Sequence, residues 1–123
     1  MKLSIDQQPN MLTISAYSTS GITIGGRLLT GPFVVSGNEL LFELLPPSVD
    51  DVSADHITAL VNLRQSIIIF GTGPIQRFFD PCIVQPAIDK GIGIEVMNSA
   101  AACRSYNILV AESRAVLGVF YMP

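Results

Sequence analysis

The stretch that most constrains this 123-residue chain lies in its C-terminal third. Gly91-Ile92-Gly93-Ile94-Glu95-Val96-Met97 runs straight into Asn98-Ser99-Ala100-Ala101-Ala102-Cys103-Arg104-Ser105-Tyr106-Asn107-Ile108-Leu109-Val110-Ala111. The first part reads as a buried strand and the second as a helix over 99–113. At such a junction the first N–H groups of the helix lack an intrahelical partner and sit at the positive end of its dipole. Anions bind at places of this kind. At about 100° per residue, Ala102, Tyr106, Leu109 and Val110 share one side of the helix, and Ala101 and Ile108 lie on another. A helix apolar nearly all round is packed on more than one face. Arg104 and Asn107, about 60° apart on the remaining arc, form a small polar window.

The neighbouring segments extend the pattern. Ser66-Ile67-Ile68-Ile69-Phe70 is a continuous apolar run stopped by Gly71-Thr72-Gly73-Pro74. A strand without polar alternation is buried on both faces, as in a covered parallel sheet. Gly93 to Met97 reads the same way, and Ala115 to Tyr121 is the final strand. Between them, Asp80-Pro81 has the form of an N-cap followed by a first-turn proline. Pro86 lies too deep for one regular helix, at a cost of about 3 kcal/mol. The spacing therefore predicts a break near Gln85 and a restart at Pro86, with Gly91 closing the helix. Upstream, Asp50 to Leu63 reads as a helix with Ser53 as N-cap and Ile57, Leu60 and Val61 as its apolar stripe. The N-terminal half differs. Leu12–Tyr17, Gly21–Ile24, Pro32–Val35 and Glu39–Leu45 are short runs broken by Gly25-Gly26 and Ser36-Gly37-Asn38, an antiparallel β meander ended by Pro46-Pro47. The fold class is α/β, as a single domain over 1–123 with no room for a second core.

Composition limits the functions available. Hydrophobic residues make up 49% of the chain and charged residues 14%, well below the usual quarter. So little charge leaves apolar surface, which points to protein contacts and to a homo-oligomer, most simply a dimer. The net charge is −3 and no Lys or Arg cluster occurs, which excludes the basic footprint of a nucleic-acid binder. No apolar run approaches the length of a membrane span, so no membrane insertion is expected. The opening Met1-Lys2-Leu3-Ser4-Ile5-Asp6 resembles no leader, which points to the cytoplasm. Cys82 and Cys103 make no disulfide framework. Both sit in apolar helical surroundings as small hydrophobes. The other reading is a reactive thiol at Cys103, beside Arg104 and near a helix N-terminus.

Ligands of open α/β sheets collect outside the C-terminal ends of parallel strands. If the two buried strands are neighbours, Gly71-Thr72-Gly73 and Met97-Asn98-Ser99-Ala100 line one crevice. The candidate ligand-binding set is then Gly71, Thr72, Gly73, Glu95, Asn98, Ser99, Arg104 and Asn107. Arg104 supplies a fixed cation with bidentate donors; Thr72, Asn98, Ser99 and Asn107 supply neutral polar groups. Glu95, inside a strand read as buried, needs a partner, and Arg104 and Arg114 are available. The bland alternatives are a structural Glu–Arg pair and a tight turn at Gly-Thr-Gly, which lacks the spacing and lysine of a phosphate loop. His56 is expected to be solvated. One His and scattered acids give no metal cluster and no nucleophile–base pair, so no catalytic residue, metal or cofactor is assigned.

Four motifs together carry a resemblance: Gly71-Thr72-Gly73 after a strand, Gly93-Ile94-Glu95-Val96-Met97, Ala102-Cys103-Arg104-Ser105-Tyr106-Asn107-Ile108-Leu109, and Glu112-Ser113-Arg114. The chain resembles the small α/β domains related to mitochondrial NADH dehydrogenase (complex I) assembly factor 3, a family with many uncharacterised bacterial and archaeal members. The likeness covers most of the chain and is specific from about residue 66 onward. Asn98-Ser99 stands where Asp-Thr is common, which removes a charge beside the helix start. Ser105 and Ser113 replace Thr and Gly, and the first half lacks a Trp found near Phe42 to Leu44. The resemblance implies a three-layer domain with a mixed central sheet and helices on both sides. It also implies an assembly factor acting through protein contacts, and implies no enzymatic activity. Two functions follow as expectations. The first is a non-enzymatic scaffold linked to respiratory complex I assembly, its Val116–Met122 strand pairing across an edge in a dimer. The second is a binding protein or weak enzyme for a small anionic or carbonyl ligand in the crevice at the start of helix 99–113.

Overall fold

The computed structural model describes residues 12–123; the leader reading of Met1 to Asp6 lies outside the described residues. In chain order the elements are β1 (Ile14–Ser18), β2 (Gly21–Ile24), β3 (Arg27–Leu29), β4 (Phe33–Ser36), β5 (Glu39–Leu41), a 3-10 turn at Val49–Asp51, α1 (Ala54–Val61), β6 (Ile67–Gly71), α2 (Pro81–Asp89), β7 (Gly93–Met97), α3 (Ser99–Ala111) and β8 (Val116–Phe120). β1, β2 and β3 form an antiparallel three-stranded sheet, and the other five strands form a mixed sheet in the order β5-β4-β8-β6-β7. β7, β6 and β8 are parallel, and β4 runs antiparallel to β8.

Side-chain alternation along these strands divides the core in two. Ile68, Phe70, Leu117 and Val119 face α1 and α2, packing with Ile57, Leu60, Val61 and Ala87. Ile69, Val116 and Phe120 face α3, packing with Ala102, Cys103, Tyr106 and Val110. The three-stranded sheet closes the far side of α3 through Ile14, Ile22, Ile24 and Leu29. α3 is therefore held between two sheets, which is why its sequence is apolar nearly all round. Tyr106 is fully buried and meets Phe120 edge-on with ring centroids 5.8 Å apart. Its ring fits because residue 118 is glycine: a Cβ there would lie 2.9 Å from Tyr106 Cδ1 and 2.6 Å from Phe120 Cε2.

Several expectations are corrected. The meander is two pieces, because Gly25 and Gly26, at φ +57 and +80, make a tight hairpin turn that adds the unforeseen strand Arg27–Leu29. β4 and β5 instead join the central sheet. α2 does not break at Gln85 but runs through Pro86. The carbonyl that Pro86 leaves unbonded belongs to Cys82, which is exposed in the first turn, where water can take the bond. β7 is not buried on both faces. Among the described residues it is an edge strand, and Gly93 and Glu95 are exposed. β8, proposed as a dimer edge, is the middle strand, flanked by β4 and β6 and buried throughout, so no second copy can pair with it. His56 is half-buried rather than solvated; its Nδ1 accepts from the Ser53 backbone N–H at 2.9 Å, closing a capping box at the start of α1. Gly91 does close α2, at φ +68.

Candidate functional site

β6 and β7 are neighbours in register, Gly71 opposite Met97, so their C-terminal ends meet as the sequence suggested. What fills the space between them is the chain itself. Asn98 caps α3, its side-chain oxygen accepting from Ala101 N–H at 2.9 Å, while its backbone carbonyl accepts from Ala102 N–H at 2.9 Å. Ser99 N–H donates to Gly73 O at 2.8 Å. In return Ser99 Oγ, fully buried, accepts from Gly73 N–H at 2.8 Å. Of the first four N–H groups of α3, only that of Ala100 is left for an outside acceptor. Gly71 is required by close approach: a Cβ would lie 2.8 Å from Ser99 Oγ and 3.0 Å from Ala102 Cβ. Gly73 adopts φ +107, a conformation side chains avoid.

Thr72 is also committed. Its buried hydroxyl lies 2.7 Å from Ile75 O and 3.1 Å from Met97 O, and it accepts from Arg77 N–H at 3.2 Å. It thus folds the loop after β6 back on itself. That loop presents Ile75 and Phe78 to solvent, Phe78 at 86% exposure, and is tied down at the surface by Arg77 to Asp50 at 3.0 Å.

Arg104 and Asn107 do not reach the strand ends. Asn107 behaves like a piece of backbone toward β1: its Oδ1 accepts from Ile14 N–H at 2.9 Å and its Nδ2 donates to Ile14 O at 2.7 Å. Tyr106 hydroxyl donates to Leu12 O at 2.7 Å. Arg104 Nη1 donates to the Tyr17 hydroxyl at 2.7 Å. The polar window on α3 is a clamp for the first described strand. The sequence hid this because nothing local to Arg104-Ser105-Tyr106-Asn107 names a partner some 90 residues upstream.

Glu95 stands apart from both groups. It is exposed on the edge strand, and it pairs with neither Arg104 nor Arg114; the latter meets Glu112 at 3.8 Å. Burial was the reason to expect a partner, and burial is missing. Glu95 lines an apolar groove of about 230 Å³ with Ile67, Ile69, Met97, Ser105, Ile108 and Leu109. The candidate residues therefore fall into three places: Gly71, Thr72, Gly73, Asn98 and Ser99 at the strand ends, Arg104 and Asn107 on the clamp, and Glu95 in the groove. The groove went unread because its walls come from three elements.

The cysteines separate too. Cys103 is buried, and burial pushes its thiol up to about 11 despite Arg104, which opposes a reactive role. Cys82 is exposed, not packed, and its thiol is raised by the hydrogen-bonded Asp80 carboxylate. Among the described residues no group of three or more His, Cys, Asp or Glu is placed to hold a metal, and no helix is long and apolar enough to cross a membrane.

Relatives in sequence and in structure place this architecture. The chain is 30% identical over 112 residues to NADH dehydrogenase [ubiquinone] 1 alpha subcomplex assembly factor 3 of Xenopus tropicalis, a match covering 89% of this chain and 61% of that protein. This chain thus spans about three-fifths of that curated relative. The crystal structure of a Bordetella parapertussis protein superposes with a TM-score of 0.85 at 25% identity, covering 92% of this chain and 97% of that one. The solution structure of a Bordetella pertussis protein described as a Mth938-like domain gives a TM-score of 0.76 over 98% of this chain and 92% of that one. At 22% identity it speaks for the fold alone. The family model described as a protein of unknown function (DUF498/DUF598) matches residues 14–121, nearly the whole described chain, and the protein belongs to that family.

Proposed function

We propose that this protein is a non-enzymatic scaffold that works through contacts with other proteins, in the manner of an assembly factor and linked to respiratory complex I. The observation that carries this reading is how the polar groups are used. At the strand ends Gly73 and Ser99 bond to each other, Thr72 bonds to Ile75, Arg77 and Met97, and Asn98 to Ala101 and Ala102, while large apolar side chains face solvent, with Phe78 86%, Ile75 65% and Ile108 58% exposed. Polar atoms already bonded offer little to a small ligand, whereas exposed apolar surface favours contact with other proteins. The relative named as a complex I assembly factor supplies the direction. The cytoplasm is where such a protein would meet its partners. Self-association, expected from the sparse charge, would have to use surface other than β8. The alternative of an anionic or carbonyl ligand at the start of α3 is favoured by no specific observation.

The test is deletion of the gene in the source organism, followed by native-gel analysis of the NADH dehydrogenase complex. The expected result is a reduced amount of mature complex with accumulation of a smaller subassembly. Unchanged amounts of complex, with unchanged NADH oxidation by membranes, would sink the reading.

A further inference from the structure

The groove beside Glu95 lies against the open margin of the central sheet. β7 is the last strand of that sheet among the described residues. Val96 O accepts from Gln76 Nε2 at 3.1 Å, so the backbone groups of Val96 point away from β6. By the alternation of a strand, those of Ile94 do so as well. Glu95 pairs across with Ile69, a residue of the α3-facing core, and so stands on the face where α3 begins to fall away. There Ile108 is 58% exposed, and Met97 and Leu109 complete an apolar wall around the carboxylate. No ion pair engages Glu95 among the described residues. Edge groups held only by the exposed Gln76 side chain at Val96 O, an apolar groove and one uncompensated charge are the ingredients of recognition by strand addition, in which backbone bonds give affinity and side-chain pockets give specificity.

We propose that the β7 edge receives an extended segment of a partner protein, which sets a lysine or arginine against Glu95 and an apolar side chain against Met97 and Ile108. This rests on the scaffold reading above and names the surface it would use. Charge decides the occupant. In the antiparallel register that pairs Ile94 of one copy with Val96 of the other, the axis passes through residue 95 and sets Glu95 opposite Glu95. Like charges directly opposed across strands are destabilising, and a chain of net charge −3 adds to that repulsion. An inward-pointing charge is also a common device against edge-to-edge self-association. A basic partner strand meets neither obstacle.

The experiment is selection of a random dodecapeptide phage library on the full chain and, in parallel, on the Glu95→Lys protein. The full chain is expected to enrich peptides with a central Lys or Arg flanked by alternating apolar residues, and the variant to enrich Asp or Glu at that place. A peptide selected on the full chain should bind the variant about tenfold more weakly, a loss of about 1.4 kcal/mol. Binding should slow hydrogen exchange at the amides of Ile94 and Val96. Failure to enrich any peptide, peptides without a basic centre, equal binding to both proteins, or shifts mapping to Ile75 and Phe78 would each overturn the proposal. So would a dimer in sedimentation whose β7 amides are protected, since a second copy would then hold the edge. If the Glu95→Lys gene fully restores the complex in the deletion strain, the edge is refuted and the scaffold reading survives. A deletion with no effect removes the scaffold reading instead.

Discussion

Asn107 offers the sharpest separation of a structural role from a ligand role. Its carboxamide makes two hydrogen bonds to the same residue, accepting from Ile14 N–H at 2.9 Å and donating to Ile14 O at 2.7 Å. Each such bond contributes about 0.5–1.5 kcal/mol net, and leaving a buried partner unsatisfied costs about 1–3 kcal/mol. Ile14 is 7% exposed, so water cannot readily replace the lost groups. Asn107→Ala should therefore destabilise the fold by about 2–3 kcal/mol, on the order of 6–12 °C in Tm for a chain of this size. Asn107→Asp keeps the acceptor, loses the donor and sets a carboxylate against Ile14 O, so its loss at neutral pH should be at least as large. Urea unfolding followed by circular dichroism measures both, and hydrogen exchange should show the loss concentrated in β1 and β2. Stability of Asn107→Ala within about 0.5 kcal/mol of the parent, the range of ordinary surface changes, would refute the clamp.

Gly118→Ala pushes a methyl group into Val35, Tyr106 and Phe120, all within 3 Å of the new Cβ; overpacking of this kind costs about 1–3 kcal/mol, measurable as a lower urea midpoint. Burial raises the Cys103 thiol from 9.0 to about 11, so the folded protein keeps its proton where the unfolded chain has lost it. Stability is complete below about pH 9 and falls as pH rises to about 11, by roughly 2–3 kcal/mol in all. Cys103→Ala should lose that part of the decline while keeping the further loss from the buried hydroxyls of Tyr106 and Tyr121, both raised by burial. Alkylation by iodoacetamide under native conditions should modify Cys82 and spare Cys103. Since the Asp80 carboxylate holds the Cys82 thiol above its ordinary value, Asp80→Asn should speed that reaction at pH 8.

The sequence was most legible where neighbours in the chain are neighbours in space. Ser53, Asp80 and Gly91 stand at their helix ends as the local patterns indicate, because capping is decided within a few residues. The all-round apolar character of α3 announced two packed faces, and two sheets cover it. Strand order is set by long-range contacts, and there local reading failed. Gly93 to Met97 and Val116 to Phe120 have similar apolar runs, yet one lies at the edge and the other at the centre. The candidate site divided for the same reason. Spacing put Arg104 and Asn107 on a shared arc, but helical periodicity carries no information on what that arc meets, and β1 meets it before any ligand can.

The central claim is that the polar groups at the start of α3 hold the chain together and are not vacant for an anion. Titration of the full chain with inorganic phosphate, followed in amide nitrogen–proton spectra against a chloride control, tests it directly. The account predicts that Gly73, Ser99, Ala101 and Ala102 stay where they are, since their N–H groups already donate to Ser99 Oγ, Gly73 O, Asn98 Oδ1 and Asn98 O. Saturable shifts at those amides, diminished in Asn98→Ala or Ser99→Ala, would contradict it and return the crevice to the list of binding sites.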